Sequence, residues 1–122
     1  MRMMRTFLFL GLALVVTSVR AADSFPGGVF GQADGCRYAK TGESSGADDF
    51  LLIDRDAITT AVAVCQIKKA TMEGASAAKL VLSCESEGES GDDEAATASL
   101  RNGAWTVRLA DGTAFGPAKR CP

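Results

Sequence analysis

The chain has 122 residues, 13 of them basic and 15 acidic, with four cysteines and no histidine. The lack of histidine excludes Ser-His and Cys-His catalytic pairs and histidine metal ligands. There is no glycine-rich phosphate loop. An acidic chain without a basic stripe is a poor candidate for binding nucleic acid or anionic lipid.

Residues 1–21 have the order of a secretory signal peptide. Two arginines precede an apolar run over residues 6–16, which is too short to span a bilayer, and Val19 and Ala21 are small side chains suited to a cleavage site. We expect cleavage after Ala21, which leaves residues 22–122 as one domain in the periplasm or outside the cell, without stable membrane insertion. Cleavage removes three arginines and no acidic residue, so the net charge changes from −2 to −5.

The cysteines, Cys36, Cys65, Cys84 and Cys121, all lie after the predicted signal peptide. An even number in a small exported domain predicts two disulfides, and the spacings do not fit a zinc site. Three pairings are possible. We predict Cys36–Cys65 and Cys84–Cys121, because these would hold the glycine-rich arm and the last strand, where packing is weakest. Cys36–Cys121 with Cys65–Cys84 is the main alternative.

The first half of the mature chain predicts an arm and then strands. Residues 22–35 are rich in glycine and small side chains, which indicates an irregular arm to about residue 35. After a turn-rich loop, residues 50–53 form a short apolar strand. Residues 57–67 are β-branched and predict a single long strand with room for a bulge, with a helix as the competing interpretation. Residues 68–76 are a predicted connection.

The second half has clearer strand signals. Apolar and polar residues alternate over residues 78–84, residues 95–100 continue as an alanine-rich strand, and Trp105, Val107 and Leu109 share one face of a further strand. An Asn-Gly pair marks the hairpin turn before the Trp105 strand, and an Asp-Gly pair marks the turn before a last short strand near Cys121. Successive short strands predict an all-β fold, a small antiparallel meander closed as a barrel or packed as a sandwich.

Residues 83–94, "SCESEGESGDDE", contain six carboxylates. An EF-hand loop that starts at Glu85 would have glycine at its fourth position instead of its sixth, and alanine at its twelfth. We therefore interpret the segment as a solvated hairpin loop, with weak binding of divalent cations as the alternative. Two other pairs, Ser83 with Lys79 and Asp54 with Asp56, are more simply strand and turn residues. We expect Trp105 to belong to the core. No catalytic, cofactor-binding or metal-binding residue is predicted.

The cysteine layout resembles that of small exported four-cysteine proteins of alphaproteobacteria, a family of unknown function. The resemblance covers residues 36–122 and depends on Cys36, on "LLIDRDAI", Cys65 and "CESEGE", and on the terminal "RCP". A tryptophan often follows the E-G-E segment in that family, whereas this chain has Ser-Gly-Asp. The resemblance implies periplasmic export and a disulfide-bonded β domain, and it supplies no catalytic residues.

These observations predict a protein that is not an enzyme and needs no cofactor. Its expected role is a periplasmic binding or structural module, with inhibitor-like protein binding as one form. The acidic net charge favours a basic periplasmic or host partner, such as a lysozyme, over nucleic acid. The alternatives are a small carboxylate-dependent hydrolase and a cation-binding protein that uses residues 83–94.

Overall fold

The computed structural model describes Gly11, Ala13 and residues 24–46 and 49–122. Apart from those two single residues, the predicted signal peptide lies outside the described residues. In the part of the chain that is described, no helix combines the length and the apolar character needed to cross a membrane.

The described residues form nine strands and one helix. In chain order they are β1 (Phe30–Gly31), α1 (Ala33–Thr41), β2 (Leu51–Ile53), β3 (Ala57–Thr60), β4 (Ala63–Met72), β5 (Ala77–Ser86), β6 (Glu89–Ser90), β7 (Glu94–Arg101), β8 (Ala104–Leu109) and β9 (Ala114–Arg120).

The sheet is an up-and-down antiparallel barrel. Each strand pairs with the next along the chain, except that the short β6 is an extra strand on β5 and the ladder continues from β5 to β7. Pairing of β1 with β9 closes the ring of eight strands. The predicted all-β meander is therefore confirmed, and the structure is a barrel, not a sandwich.

Side chains fill the barrel, as expected for eight strands. Trp105 is only 2% exposed, which confirms its predicted place in the core. Phe25, in the segment before β1, packs edge-on against Trp105 with ring centroids 4.9 Å apart. The Trp105 indole N–H donates a hydrogen bond of 3.0 Å to the carbonyl oxygen of Pro26. The remaining core includes Ile53, Ile58, Cys65, Leu80, Leu82, Val107 and Leu109. The interior is thus a packed core, and a functional site has to lie on the outside.

The strands predicted in the second half are present, and so are their turns. Asn102 and Gly103 have φ of 52° and 76°, the left-handed values that the Asn-Gly signal requires. Asp111 accepts a hydrogen bond of 2.8 Å from the backbone N–H of Thr113 in the β8–β9 turn.

The single strand predicted over residues 57–67 is wrong. The chain turns back at residues 61–62, so that β3 and β4 form a hairpin. The Thr60 hydroxyl oxygen accepts the backbone N–H groups of Val62 and Ala63 at 3.3 and 3.1 Å, and so makes a turn without glycine, proline or asparagine. The predicted connection over residues 68–76 is also shorter than expected, because β4 continues to Met72.

The preferred disulfide pairing is wrong as well. The bonds are Cys36–Cys121, with sulfur atoms 2.07 Å apart, and Cys65–Cys84, with sulfur atoms 2.10 Å apart. Cys65 and Cys84 lie directly opposite each other in the β4–β5 ladder. Cys36 cannot reach Cys65, because β2 and β3 separate β1 from β4 and α1 lies at the β1–β9 closure.

The arm predicted to be irregular to about residue 35 contains β1 and the start of helix α1. Gly35 is the only buried residue of α1. A Cβ atom there would overlap the backbone carbonyl oxygen of Leu51, so glycine allows the helix backbone to lie directly on β2. The helix ends at Thr41, and the N–H of the next residue, Gly42, donates to the carbonyl oxygen of Tyr38 at 2.8 Å.

Candidate functional site

Helix α1 lies on the outside of the barrel, and a disulfide holds it there. Cys36 in its first turn is bonded to Cys121, just after β9. The backbone N–H of Cys121 also donates to the carbonyl oxygen of Val29 at 2.8 Å. The helix, the chain before β1 and the chain after β9 are therefore joined at one point of the barrel wall.

A cleft of about 660 Å³ runs between α1 and β9. Ala33, Arg37, Lys40 and Thr41 line one wall, and their spacing places them on one face of the helix. Pro117 and Lys119, two positions apart on β9, line the other wall on either side of the inward-facing Ala118. Cys36 also contributes to the lining, so the disulfide lies between the two walls.

The rim of this cleft is basic, although the whole chain is acidic. Arg37, Lys40, Lys119 and Arg120 all line it and all are exposed. In the described parts of the chain the ion pairs are Arg55–Asp56 and Lys79–Glu73, and neither involves a cation of the cleft. The cleft therefore has cationic groups that can bind an anion without first breaking a salt bridge.

Arg120 is the most constrained of the four cations. Its Nη1 donates a hydrogen bond of 3.0 Å to the carbonyl oxygen of Gly27, and its guanidinium carbon lies 4.9 Å from the centroid of the Phe30 ring. These contacts hold the side chain against the barrel. Arg37, Lys40 and Lys119 are therefore the cations best able to reorient towards a ligand.

Asp34, the acidic residue in the first turn of α1, is directed towards the loop that follows the helix. It accepts hydrogen bonds from the Ser45 hydroxyl at 2.7 Å, from the Ser45 backbone N–H at 3.1 Å and from the Ser44 hydroxyl at 3.0 Å. The Ser45 hydroxyl bond is the main reason that the pKa of Asp34 is lowered, and the charge of Arg37 contributes less. Asp34 is thus engaged in fixing the loop and is not a member of the cleft.

The acidic segment lies on the far side of the barrel. In the ring of eight strands, β5 is opposite β1, and residues 83–94 connect β5 through β6 to β7. Glu85, Glu87 and Glu89 are exposed as predicted, but the segment is not a loop throughout, because Glu85 lies in β5 and Glu89 in β6, with a turn at residues 87–88 between them. Among the described residues, no three acidic, cysteine or histidine side chains are grouped in a way that could hold a metal ion. The molecule therefore separates its charges, with a basic cleft on one side and an acidic hairpin on the other.

An apolar surface lies on the other side of α1. Tyr38, Val62 and Val64 are 43%, 77% and 41% exposed and line a cleft of about 550 Å³ with Phe50. The rings of Tyr38 and Phe50 are in edge contact, with centroids 5.6 Å apart. Exposed aromatic and aliphatic groups of this kind are common in protein interfaces.

The other pairs considered from the sequence are structural. Lys79 forms an ion pair of 3.1 Å with Glu73 and is not directed to Ser83. Asp54 accepts the backbone N–H groups of Asp56 and Ala57 at 2.8 and 2.9 Å, which makes it the organising residue of a turn.

The sequence interpretation missed the cleft, because it missed the helix. The available signals were Asp34 in the first turn, Lys40 in the last turn and Gly42 directly after, an order that suits the helix dipole and a glycine C-cap. No family model matches this chain, and comparison with curated proteins and with solved structures finds no match either.

Proposed function

We propose that this protein is an exported, non-catalytic module that binds a partner protein through helix α1 and the cleft beside it. The proposal depends on one observation. Helix α1 buries only Gly35, so it adds little to the core, yet one of the two disulfides fixes it to the barrel. A covalent bond that orients exposed side chains is useful for recognition, because a preordered surface loses less conformational entropy on binding.

The two disulfides indicate an oxidising, exported environment. We propose the periplasm as the compartment, on the basis of the signal-peptide pattern in residues 1–21. Intact-mass measurement of the protein isolated from the periplasm should give a chain that begins at Ala22 or Asp23. A periplasmic chain that still carries Met1 would contradict this assignment.

The chemistry of the cleft favours binding over catalysis. Its side chains supply cations, a disulfide, the Gln32 amide, the Thr41 hydroxyl and small apolar groups, and the described residues that line it include no side-chain carboxylate. A hydrolase that uses carboxylates would have to act elsewhere on the surface.

A capture experiment with matched variants tests the proposal. The wild-type protein, the double variant Arg37→Glu, Lys40→Glu and the control Lys68→Glu, Lys69→Glu are immobilised and exposed to periplasmic extract and to purified lysozyme. Lys68 and Lys69 are exposed on β4, opposite β9 in the ring, so both variants change the net charge equally at different places. We expect a protein that the wild type and the control retain and that the Arg37, Lys40 variant loses.

Two results would contradict the proposal. One is retention that falls equally in both variants, because it would then follow net charge alone. The other is hydrolytic activity that a single carboxylate substitution abolishes. The basic partner that the acidic net charge favours stays a separate prediction, and lysozyme retained by all three proteins would support it.

A further inference from the structure

The cleft between α1 and β9 has the features of a site for an acidic peptide segment. Its basic rim comes from two independent elements, with Arg37 and Lys40 on the helix and Lys119 on the strand. Cations on both walls can bind carboxylates that lie along the cleft. Charge-assisted hydrogen bonds of this kind are stronger than neutral ones.

The base of the cleft suits an apolar side chain between the carboxylates. The Cys36–Cys121 disulfide lies between the two walls, and Ala33 on one wall and Pro117 on the other add carbon atoms and few polar groups. The disulfide and the proline ring are also rigid, so an apolar side chain that packs on them orders little of the protein. The cleft therefore combines a charged rim with a hydrophobic base, the usual arrangement of a specific binding site.

Other anionic ligands fit less well. A fatty acid needs an enclosed apolar space for its chain, but the barrel interior is filled by Trp105, Leu82 and Val107. Nucleic acid fits less well because none of the described residues that line the cleft is aromatic, so its bases have no ring on which to stack. An extended peptide suits an open cleft, because its backbone can remain in water.

We propose that the α1–β9 cleft binds an acidic segment of a partner protein, in which an apolar side chain packs on the Cys36–Cys121 disulfide and flanking carboxylates bind Arg37, Lys40 and Lys119. This inference depends on the proposed function and adds the chemical class of the ligand. An acidic ligand also differs from the expectation based on the net charge of the chain, which favours basic partners.

The test uses a fluorescein-labelled peptide in which leucines are interspersed among glutamates, with fluorescence anisotropy as the measurement. The comparison peptide has lysine in place of every glutamate. We expect the acidic peptide to bind and the basic peptide not to bind at the cleft. Arg37→Glu with Lys40→Glu should weaken binding at least about tenfold, whereas Lys68→Glu with Lys69→Glu should change it less than about twofold. Raising the ionic strength should weaken the wild-type complex.

Lys119→Gln provides a second, milder variant on the opposite wall, which keeps the test valid if the double variant folds poorly. Binding should fall several-fold, and Trp105 fluorescence should show that the barrel is intact. Amide NMR shifts on titration with the acidic peptide should be concentrated in residues 33–41 and 117–121.

Three outcomes overturn the inference: equal loss of binding in the two double variants, tighter binding of the lysine peptide at the cleft, and cleft-dependent binding to phosphatidylglycerol vesicles in place of the peptide. If the peptide fails but a captured protein still requires Arg37 and Lys40, the proposed function stands and only the ligand class is wrong. If capture and peptide binding both fail, both proposals are wrong.

Discussion

The two sides of the barrel are held together in different ways. On one side, β4 and β5 pair over residues 63–72 and 78–86, a long ladder that also contains the Cys65–Cys84 disulfide. On the other side, β1 has only two residues, Phe30 and Gly31, to pair with both β2 and β9. The closure of the barrel there depends on Cys36–Cys121 and on side-chain contacts such as that of Arg120 with Gly27. The candidate cleft lies on the side with the short ladder.

This difference indicates separate roles for the two disulfides. Cys65–Cys84 connects strands that backbone hydrogen bonds already hold in register. Cys36–Cys121 connects a helix and a chain segment that have little ladder of their own. Variants of each region should therefore differ in their effects on both stability and binding.

Replacement of Cys36 and Cys121 by alanine should have the largest effect. The bond links residues 85 apart in sequence, and the chain-entropy treatment gives about 4.5 kcal/mol of lost stability for a loop of that size. The matched variant at Cys65 and Cys84, 19 residues apart, should lose about 3 kcal/mol. Urea denaturation of both variants measures the difference.

Amide hydrogen exchange should distinguish the two disulfide variants more clearly than urea denaturation does. Loss of Cys36–Cys121 should accelerate exchange in Ala33–Thr41, whereas loss of Cys65–Cys84 should leave this helix protected. Equal protection of α1 in both variants would show that the disulfide is not what holds the helix.

The substitution Gly35→Ala should come next. The added methyl group overlaps the carbonyl oxygen of Leu51, so the helix has to move away from β2. Overpacking of this kind costs about 1–3 kcal/mol in the free energy of unfolding. Ala39→Ser, at an exposed position of the same helix, is the control and should change stability by less than about 0.5 kcal/mol. A neutral Gly35→Ala would mean that the helix does not rest on β2.

A smaller effect is expected on the acidic side. Simultaneous replacement of Glu85, Glu87 and Glu89 by glutamine should leave the melting temperature unchanged or slightly raised, because it removes repulsion between exposed like charges. Thermal denaturation with and without added calcium is the measurement. A fall of many degrees that calcium reverses would show that the loop holds a metal ion.

The smallest expected effect on stability is that of protonating Asp34. Its pKa is lowered, mainly by the Ser45 hydroxyl, so its contribution to stability is present above the ordinary aspartate pKa of 3.8 and is lost as the pH falls through the lowered value. NMR titration should give a midpoint below 3.8 for this carboxyl group, with the Ser44 and Ser45 signals changing at the same pH. Asp34→Asn should abolish that change. A midpoint at or above 3.8 would contradict the hydrogen bonds to this loop.

The sequence predicted the second half of the fold well, because period-two alternation and Asn-Gly are strong local signals. Trp105, Val107 and Leu109 face inward as their spacing indicated. The turn after Thr60 was missed, because a threonine hydroxyl that caps a turn has a much weaker sequence signature than glycine.

Helix α1 and its cleft could not be derived from local patterns alone. A nine-residue helix is marginal by itself and is fixed here by a distant cysteine and by close contact with β2. The pairing argument for the cysteines also failed for a physical reason. It assumed that disulfides form where packing is weakest, but Cys65 and Cys84 bond because the register places them opposite each other.

The contacts that seal the barrel also determine when folding can finish. The Arg120 side chain donates a hydrogen bond to the carbonyl oxygen of Gly27, which lies 93 residues earlier in the chain. The Trp105 indole donates one to the carbonyl oxygen of Pro26, 79 residues earlier. Because a chain is synthesised from its amino end, the contacts of Pro26 and Gly27 with these two side chains can form only when nearly all of the chain has been made. Long-range closure of this kind slows folding. For the export proposed here, such a delay would keep the polypeptide unfolded and able to pass through a narrow channel while it crosses the membrane.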